Sequence, residues 1–267
     1  MQTDWNIGDC ADLYRYTVPI FNYDRGQPLL TGTGVFVEVD QNEFVITAAH
    51  VLESRFKKIA FGFLRAEGNF EVFGSDNMLI LTARAQSGGG DARMAAYKDG
   101  LDLAVIKPTE EVLEHLRSHY RTFDLRQNAD ISLPQWGVVS GWPAKKNTYN
   151  QRKRRCDFQT CFHIQWPIAA TEATAKAGWN TDVYLALSGD KAKDFVTVEG
   201  GKHIHLPNLD GVSGAGMWIR SAPATSWSLA GIVVEDHPLK RMLKVIKVKH
   251  VWTPIRLFCQ RLNRPEN

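Results

Sequence analysis

Four cysteines are spread over 267 residues, at Cys10, Cys156, Cys161 and Cys259. They are too few and too scattered for a disulfide framework, and such scarcity points to a reducing, cytoplasmic location. No apolar run approaches the roughly 20 residues that a membrane-spanning helix needs. Met1 to Cys10 holds two aspartates and no apolar stretch, so no secretory leader is expected. Metal-ligand patterns are poor as well. Cys156 and Cys161, with His163 nearby, fit no zinc spacing and read as ordinary thiols. His115 and His119 stand one helical turn apart without a third ligand, which suits a solvated helix face. Gln86 to Asp91, with Gly88-Gly89-Gly90, lacks the Lys-Ser/Thr and helix that complete a phosphate-cradling loop, and reads as a linker. No metal and no cofactor is expected.

Net charge is also small, at +3, but unevenly placed. Lys145, Lys146, Arg152, Lys153, Arg154 and Arg155 lie in one stretch without an acidic residue; taking these six from the total leaves the rest at −3. A charge run of this kind is usually a solvated surface loop. Contact with nucleic acid or an acidic partner is the alternative, and would show as steep salt dependence. A hydrophobic content of 44% and a charged content of 23% are ordinary for a globular protein. A chain of this length can bury about 70–75% of its unfolded surface, enough for one large domain or two fused barrels.

What is present is β-structure. Tyr16 to Tyr23 and Gly32 to Asp40 read as strands, Asp40-Gln41-Asn42 as a turn, and Phe44 to Thr47 as an antiparallel return. Lys57 to Phe63, Phe70 to Phe73, Asn77 to Arg84 and Leu101 to Ile106 continue the pattern. Pro108 then opens a charged amphipathic helix, Thr109 to Tyr120, with Val112, Leu113 and Leu116 at helical spacing. Val251 to Leu262 reads as a terminal helix.

Three stretches carry chemistry. Gly211-Val212-Ser213-Gly214-Ala215-Gly216 sets a serine among small residues before an apolar strand. Glycines there leave room around a hydroxyl and let backbone N–H groups face a carbonyl oxygen. Glu43 to His50 is a β-branched strand that ends in Thr47-Ala48-Ala49-His50, and Asp99 to Ile106 places an aspartate at the mouth of a buried strand. An imidazole can take a serine proton, and a carboxylate can hold its tautomer. Asp102 abuts the apolar strand, whereas its rival Asp99 precedes a loop glycine. Both His50 and Ser213 also have bland readings, as a core histidine and a turn residue.

The chain order His, Asp, Ser is that of the chymotrypsin type rather than of the α/β-hydrolases or subtilisins. Thr47 to His50, Asp102-Leu103-Ala104-Val105, Ser140-Gly141-Trp142, Gly211 to Gly216 and Leu229-Ala230-Gly231-Ile232-Val233 each resemble a motif of that family. The chain resembles a disulfide-poor bacterial trypsin-like serine protease. The resemblance implies an all-β fold of two packed six-stranded antiparallel barrels with an interdomain helix and a C-terminal helix. Its parts would be residues 15–108, a linker at 109–124, a second barrel at 125–250 and a helix at 251–263. It implies His50, Asp102 and Ser213 as a catalytic triad in the interbarrel cleft, with Gly211 and Ser213 N–H groups as an oxyanion hole.

Departures from the family bear on regulation and specificity. Val212 stands where zymogen-type members keep an aspartate for a freed N-terminus, so activation by N-terminal processing is not expected. Pro207 stands six residues before Ser213, where trypsin keeps its specificity aspartate, so cleavage after Arg or Lys is not supported. Val234, Glu235 and Asp236 continue the strand expected to pair with a substrate backbone, and their acidity leans toward basic substrate residues. His203 and His205 read as sharing a solvated strand face. Three function classes follow: an intracellular serine endopeptidase with a restricted protein target and open to control by a regulatory protein partner, a protease-like binding module without activity, and a nucleic-acid-contacting protein.

Overall fold

A computed structural model describes residues 7–24, 27–52, 59–64, 70–75, 77–82, 101–127, 136–143, 147–150, 155–158, 162–168, 171–188, 193–197, 210–220, 226–237 and 242–262. The first half of the chain supplies β1 (Thr17–Asp24), β2 (Gln27–Val39), β3 (Asn42–Thr47), β4 (Ile59–Leu64), β5 (Phe70–Ser75), β6 (Leu79–Thr82) and β7 (Ala104–Lys107). The ladder runs β5-β4-β1-β2-β3-β7-β6. Only residues 76–78 separate β5 from β6, so one bent stretch pairs with β4 at one end and β7 at the other. That closes the sheet on itself as a six-stave barrel, which removes exposed edges. The β2–β3 hairpin turns through Asp40 and Gln41, both at positive φ (49 and 64), the primed geometry whose twist matches the flanking strands.

The second half repeats the construction. It uses β9 (Trp136–Gly141), β12 (Phe162–Pro167), β13 (Tyr184–Ser188), β15 (Gly216–Arg220), β16 (Trp227–His237) and β17 (Met242–Lys247). Their order is β13-β17-β16-β15-β9-β12, and a bridge between Ile168 and Leu187 ties the two ends. A further strand, β14 (Lys193–Thr197), adds to β12. The architecture is all-β with two antiparallel barrels, joined by helix α1 (Glu110–His119); α2 (Thr171–Lys176) lies within the second half and α3 (Val248–Leu262) ends the chain.

Each barrel has an apolar filling. Val139, Leu185, Leu187, Met217, Ile219, Ala230, Val233 and Val245 fill the second. The larger cluster extends from the first barrel into the contact between the two, through Trp218, Ile232, Val234 and Ile246. This explains why Phe44 to Thr47 is buried throughout rather than alternately. A strand covered on both faces loses the period-two signature. At the junction the Trp218 ring meets Phe123 edge-on at 5.0 Å and Tyr16 at 5.5 Å.

Four features differ from the sequence expectation. A 3₁₀ segment, Ile7–Tyr16, precedes β1, and α2 was not foreseen. The linker carries β8 (Phe123–Asp124), which pairs with β2 in parallel. The stretch expected as a basic loop is in part a hairpin, β10 (Asn147–Asn150) with β11 (Arg155–Phe158). Cys156 of β11 pairs with Phe70 of β5, so an excursion between β9 and β12 joins the first barrel's sheet. Side chains of this hairpin, and all of residues 144–146 and 151–154, lie outside the described residues, so Lys145, Lys146, Arg152, Lys153 and Arg154 are not placed.

Candidate active site

Register places the histidine and the aspartate together. Thr47 of β3 pairs with Ala104 of β7 in antiparallel fashion. His50 lies three residues past Thr47 and Asp102 two residues before Ala104, so both leave the same end of adjacent strands. The chain after β3 coils into a 3₁₀ turn, Ala49–Leu52. Its carbonyl at Val51 accepts the Asn22 side-chain amide at 2.9 Å. Before β7, a tight turn closed by the Leu103 N–H on the Leu101 carbonyl (2.7 Å) presents Asp102.

The Asp102 carboxylate holds the histidine at two points. Oδ1 accepts the His50 backbone N–H at 2.9 Å, and Oδ2 lies 2.6 Å from Nδ1 of the ring. A carboxylate facing Nδ1 fixes that nitrogen as the protonated one and leaves Nε2 as the basic one. Asp102 is buried, at 9% exposed, while the His50 side chain keeps 28% of its surface open to solvent. Asp99 lies outside the described residues.

Ser213 sits at the second position of a turn closed by the Ala215 N–H on the Val212 carbonyl (2.9 Å), with Gly214 third at φ 87. That position takes glycine without strain. A Cβ on Gly214 would also fall on the Thr33 carbonyl oxygen and the Thr47 hydroxyl. The turn is therefore pressed against β2 and β3 of the first barrel, three residues upstream of His50. Gly32 lies between the Ser213 carbonyl and the side chain of Val51, the residue after His50. Neither the Ser213 hydroxyl nor the N–H groups of Gly211 and Ser213 hydrogen-bond to a described residue. Val212 points away, 2% exposed, into the apolar filling of the second barrel.

Beyond this turn β16 outruns β15. Their last pair is Gly216 with Ile232, while β16 continues to His237. Among the described residues no strand covers that edge of Val234 to His237. Val234 is buried in the interbarrel cluster and Glu235 is exposed, its carboxylate 3.2 Å from Lys244 Nζ. The Lys244 ammonium also lies 4.4 Å from the Tyr184 ring centre and 5.5 Å from that of Trp179. Burial pushes the Tyr184 phenol above 10.0, and the carboxylates of Asp102 and Glu235 add to the rise. Neither Tyr184 nor Lys244 is marked in the sequence, where both look like ordinary strand residues.

Other candidates fall elsewhere. Pro207, His203 and His205 lie outside the described residues, as does 83–100 with its glycine run; of Asp236 only the strand backbone is described. His115 stacks on Phe73 at 4.0 Å and His119 meets Phe63 at a tilt at 5.0 Å, so both lie against the first barrel's aromatics. Among the described residues no three His, Cys, Asp or Glu gather as a metal site, and no helix is long and apolar enough to cross a membrane.

No family model and no curated protein matches the sequence. Solved structures do. The protease domain of MamO from Magnetospirillum magneticum, in its apo form, superposes with a TM-score of 0.52 over 91% of this chain and 96% of that one. The fold is chymotrypsin-like. At 11% identity the likeness concerns the fold alone.

Proposed function

We propose that the chain is a serine endopeptidase working through Ser213, His50 and Asp102. The observation that carries the reading is the two-point grip of Asp102 on His50, because it orients the ring, holds the proton on Nδ1 and leaves Nε2 to act as a base. In the proposed reaction the Ser213 oxygen adds to a peptide carbonyl carbon while its proton passes to His50 Nε2. Asp102 balances the imidazolium. The C–N bond breaks as His50 returns the proton to the leaving amine, and water then repeats the sequence on the acyl-enzyme. The Gly211 and Ser213 N–H groups would hold the oxyanion, each worth about 2.7–4 kcal/mol in such sites. The edge of β16 that no described strand covers offers a place for a substrate strand, and Glu235 a partner for its basic side chains. Cys259 is buried and in no disulfide, which is in keeping with a reducing compartment. A protease there needs a restricted protein target.

A fluorophosphonate probe tests this. Labelling is expected on Ser213 of the wild type and absent from Ser213→Ala and His50→Ala. A folded wild type that takes no label defeats the reading. It would leave a protein-binding module of protease shape, a reading favoured by the Ser213 hydroxyl making no hydrogen bond to a described residue.

A further inference from the structure

Glycine at 211 has a φ of 91 and no side chain to limit its peptide planes. Val212 anchors the serine turn in apolar packing, but dispersion is weakly directional and does not fix which way a carbonyl points. A hydrogen bond does. The carbonyl of Gly211 accepts the Thr33 hydroxyl at 2.8 Å, and the carbonyl of Ser213 accepts the Thr33 N–H at 2.9 Å.

Thr33 is fully buried in β2 and fixed from two other sides. Its hydroxyl oxygen accepts the Trp142 N–H at 2.9 Å, at the end of β9, and its carbonyl accepts the Thr47 hydroxyl at 2.7 Å. One residue therefore touches the nucleophile turn twice, the second barrel once and the histidine strand once. Since the Trp142 N–H occupies the hydroxyl oxygen as a donor, the single Thr33 proton is directed at Gly211.

We infer that Thr33 is a positioning residue: its hydroxyl pins the Gly211 carbonyl and so keeps the Gly211–Ser213 backbone in one conformation against His50. This rests on the serine-protease reading for its kinetic consequence, though not for its structural one. Thr33→Val keeps the shape and removes the proton, whereas Thr33→Ser keeps the proton and loses a methyl group.

The test has two arms on the full chain. In the first, fluorophosphonate labelling and hydrolysis of a p-nitrophenyl ester are followed in wild type, Thr33→Val and Thr33→Ser. Thr33→Val is expected to slow labelling and kcat about 100-fold with KM little changed, since misplacing a reacting group by about 1 Å costs that much. Thr33→Ser should stay within about threefold of wild type. In the second arm, amide hydrogen exchange at Gly214 and Ala215, whose N–H groups are hydrogen-bonded, is read by mass spectrometry. It should quicken in Thr33→Val and remain as in wild type in Thr33→Ser. Should Thr33→Val not fold, Thr33→Cys carries the same expectations, because a thiol is a poor donor. Exchange at Gly214 and Ala215 that is unchanged by loss of the hydroxyl overturns the inference, whatever the label does. Altered exchange with no labelling of any form leaves the clamp standing and removes the protease reading instead.

Discussion

The hydroxyls of Thr17 and Ser140 lie 2.7 Å apart, joining the first strand of one barrel to the first strand of the other. Both residues are fully buried. Thr17 gives its proton to the Leu13 carbonyl at 2.8 Å, so Ser140 is the donor across the junction. The Trp142 indole N–H reaches the Thr17 carbonyl at 3.0 Å and closes the same seam. The two barrels are thus registered by hydrogen bonds, with the aromatic contact of Trp218 and Phe123 beside them.

Ser140→Ala removes that donor and leaves the Thr17 oxygen less satisfied. The expected loss is about 1–2 kcal/mol, read as a fall of about 2–8 °C in melting temperature. An unaltered melting curve would mean the bridge contributes nothing.

Asp102→Asn keeps the size of the side chain but lets the amide face Nδ1, which favours the tautomer with Nε2 protonated. Such a ring cannot take the serine proton. Ester hydrolysis is expected to fall about 10⁴-fold with the fold retained. A loss smaller than tenfold would separate Asp102 from the chemistry.

Val212→Asp places a carboxylate in the apolar cluster of Val139, Ile168, Leu185 and Leu187. A loss of about 3–5 kcal/mol is expected, measured by urea denaturation. The same apolar seat means a chain terminus has nothing to pair with there. Removing residues before Ile7 should therefore leave the rate of Ser213 labelling as it was, and a several-fold rise would contradict this.

Tyr184 should ionise late. Burial and the two carboxylates hold its pKa in the folded protein above the unfolded 10.0. The folded state then keeps a proton that the unfolded state has lost, so this contribution to stability is whole below pH 10 and declines as pH rises through the folded value. The difference between the 295 nm titrations of wild type and Tyr184→Phe isolates the group. Its midpoint is expected above 10 and lower again in Asp102→Asn, where one opposing charge is gone. A midpoint that does not move in Asp102→Asn would mean that the Asp102 charge does not reach Tyr184.

Much of the fold was legible because strands are written locally. Phe44 to Thr47, the turn at Asp40 and Gln41, and the helix beginning after Pro108 all carry their own signatures. The hairpin of β10 and β11 did not read as strand at all. Its neighbourhood is polar and basic, and its stabilising partner, Phe70, lies 86 positions away in the chain. Helix α3 begins at Val248 rather than Val251, a difference at the end, where boundaries are weakest. Thr33 lay unremarked inside an expected strand, since nothing in Gly-Thr-Gly says which carbonyl a hydroxyl will meet.

The sequence alone determined that the chain would be β-rich, with a serine turn rich in glycine, a histidine at a strand's end and an aspartate at a strand's mouth. These are properties of short stretches, set by propensity, turn chemistry and side-chain type. Tertiary structure decided the rest: that Asp102 grips His50, that Thr33 pins the serine turn, and that Lys244 lies over the Tyr184 ring. Those relations depend on which distant strands become neighbours and in what register, and a shift of one residue would turn each side chain to the opposite face.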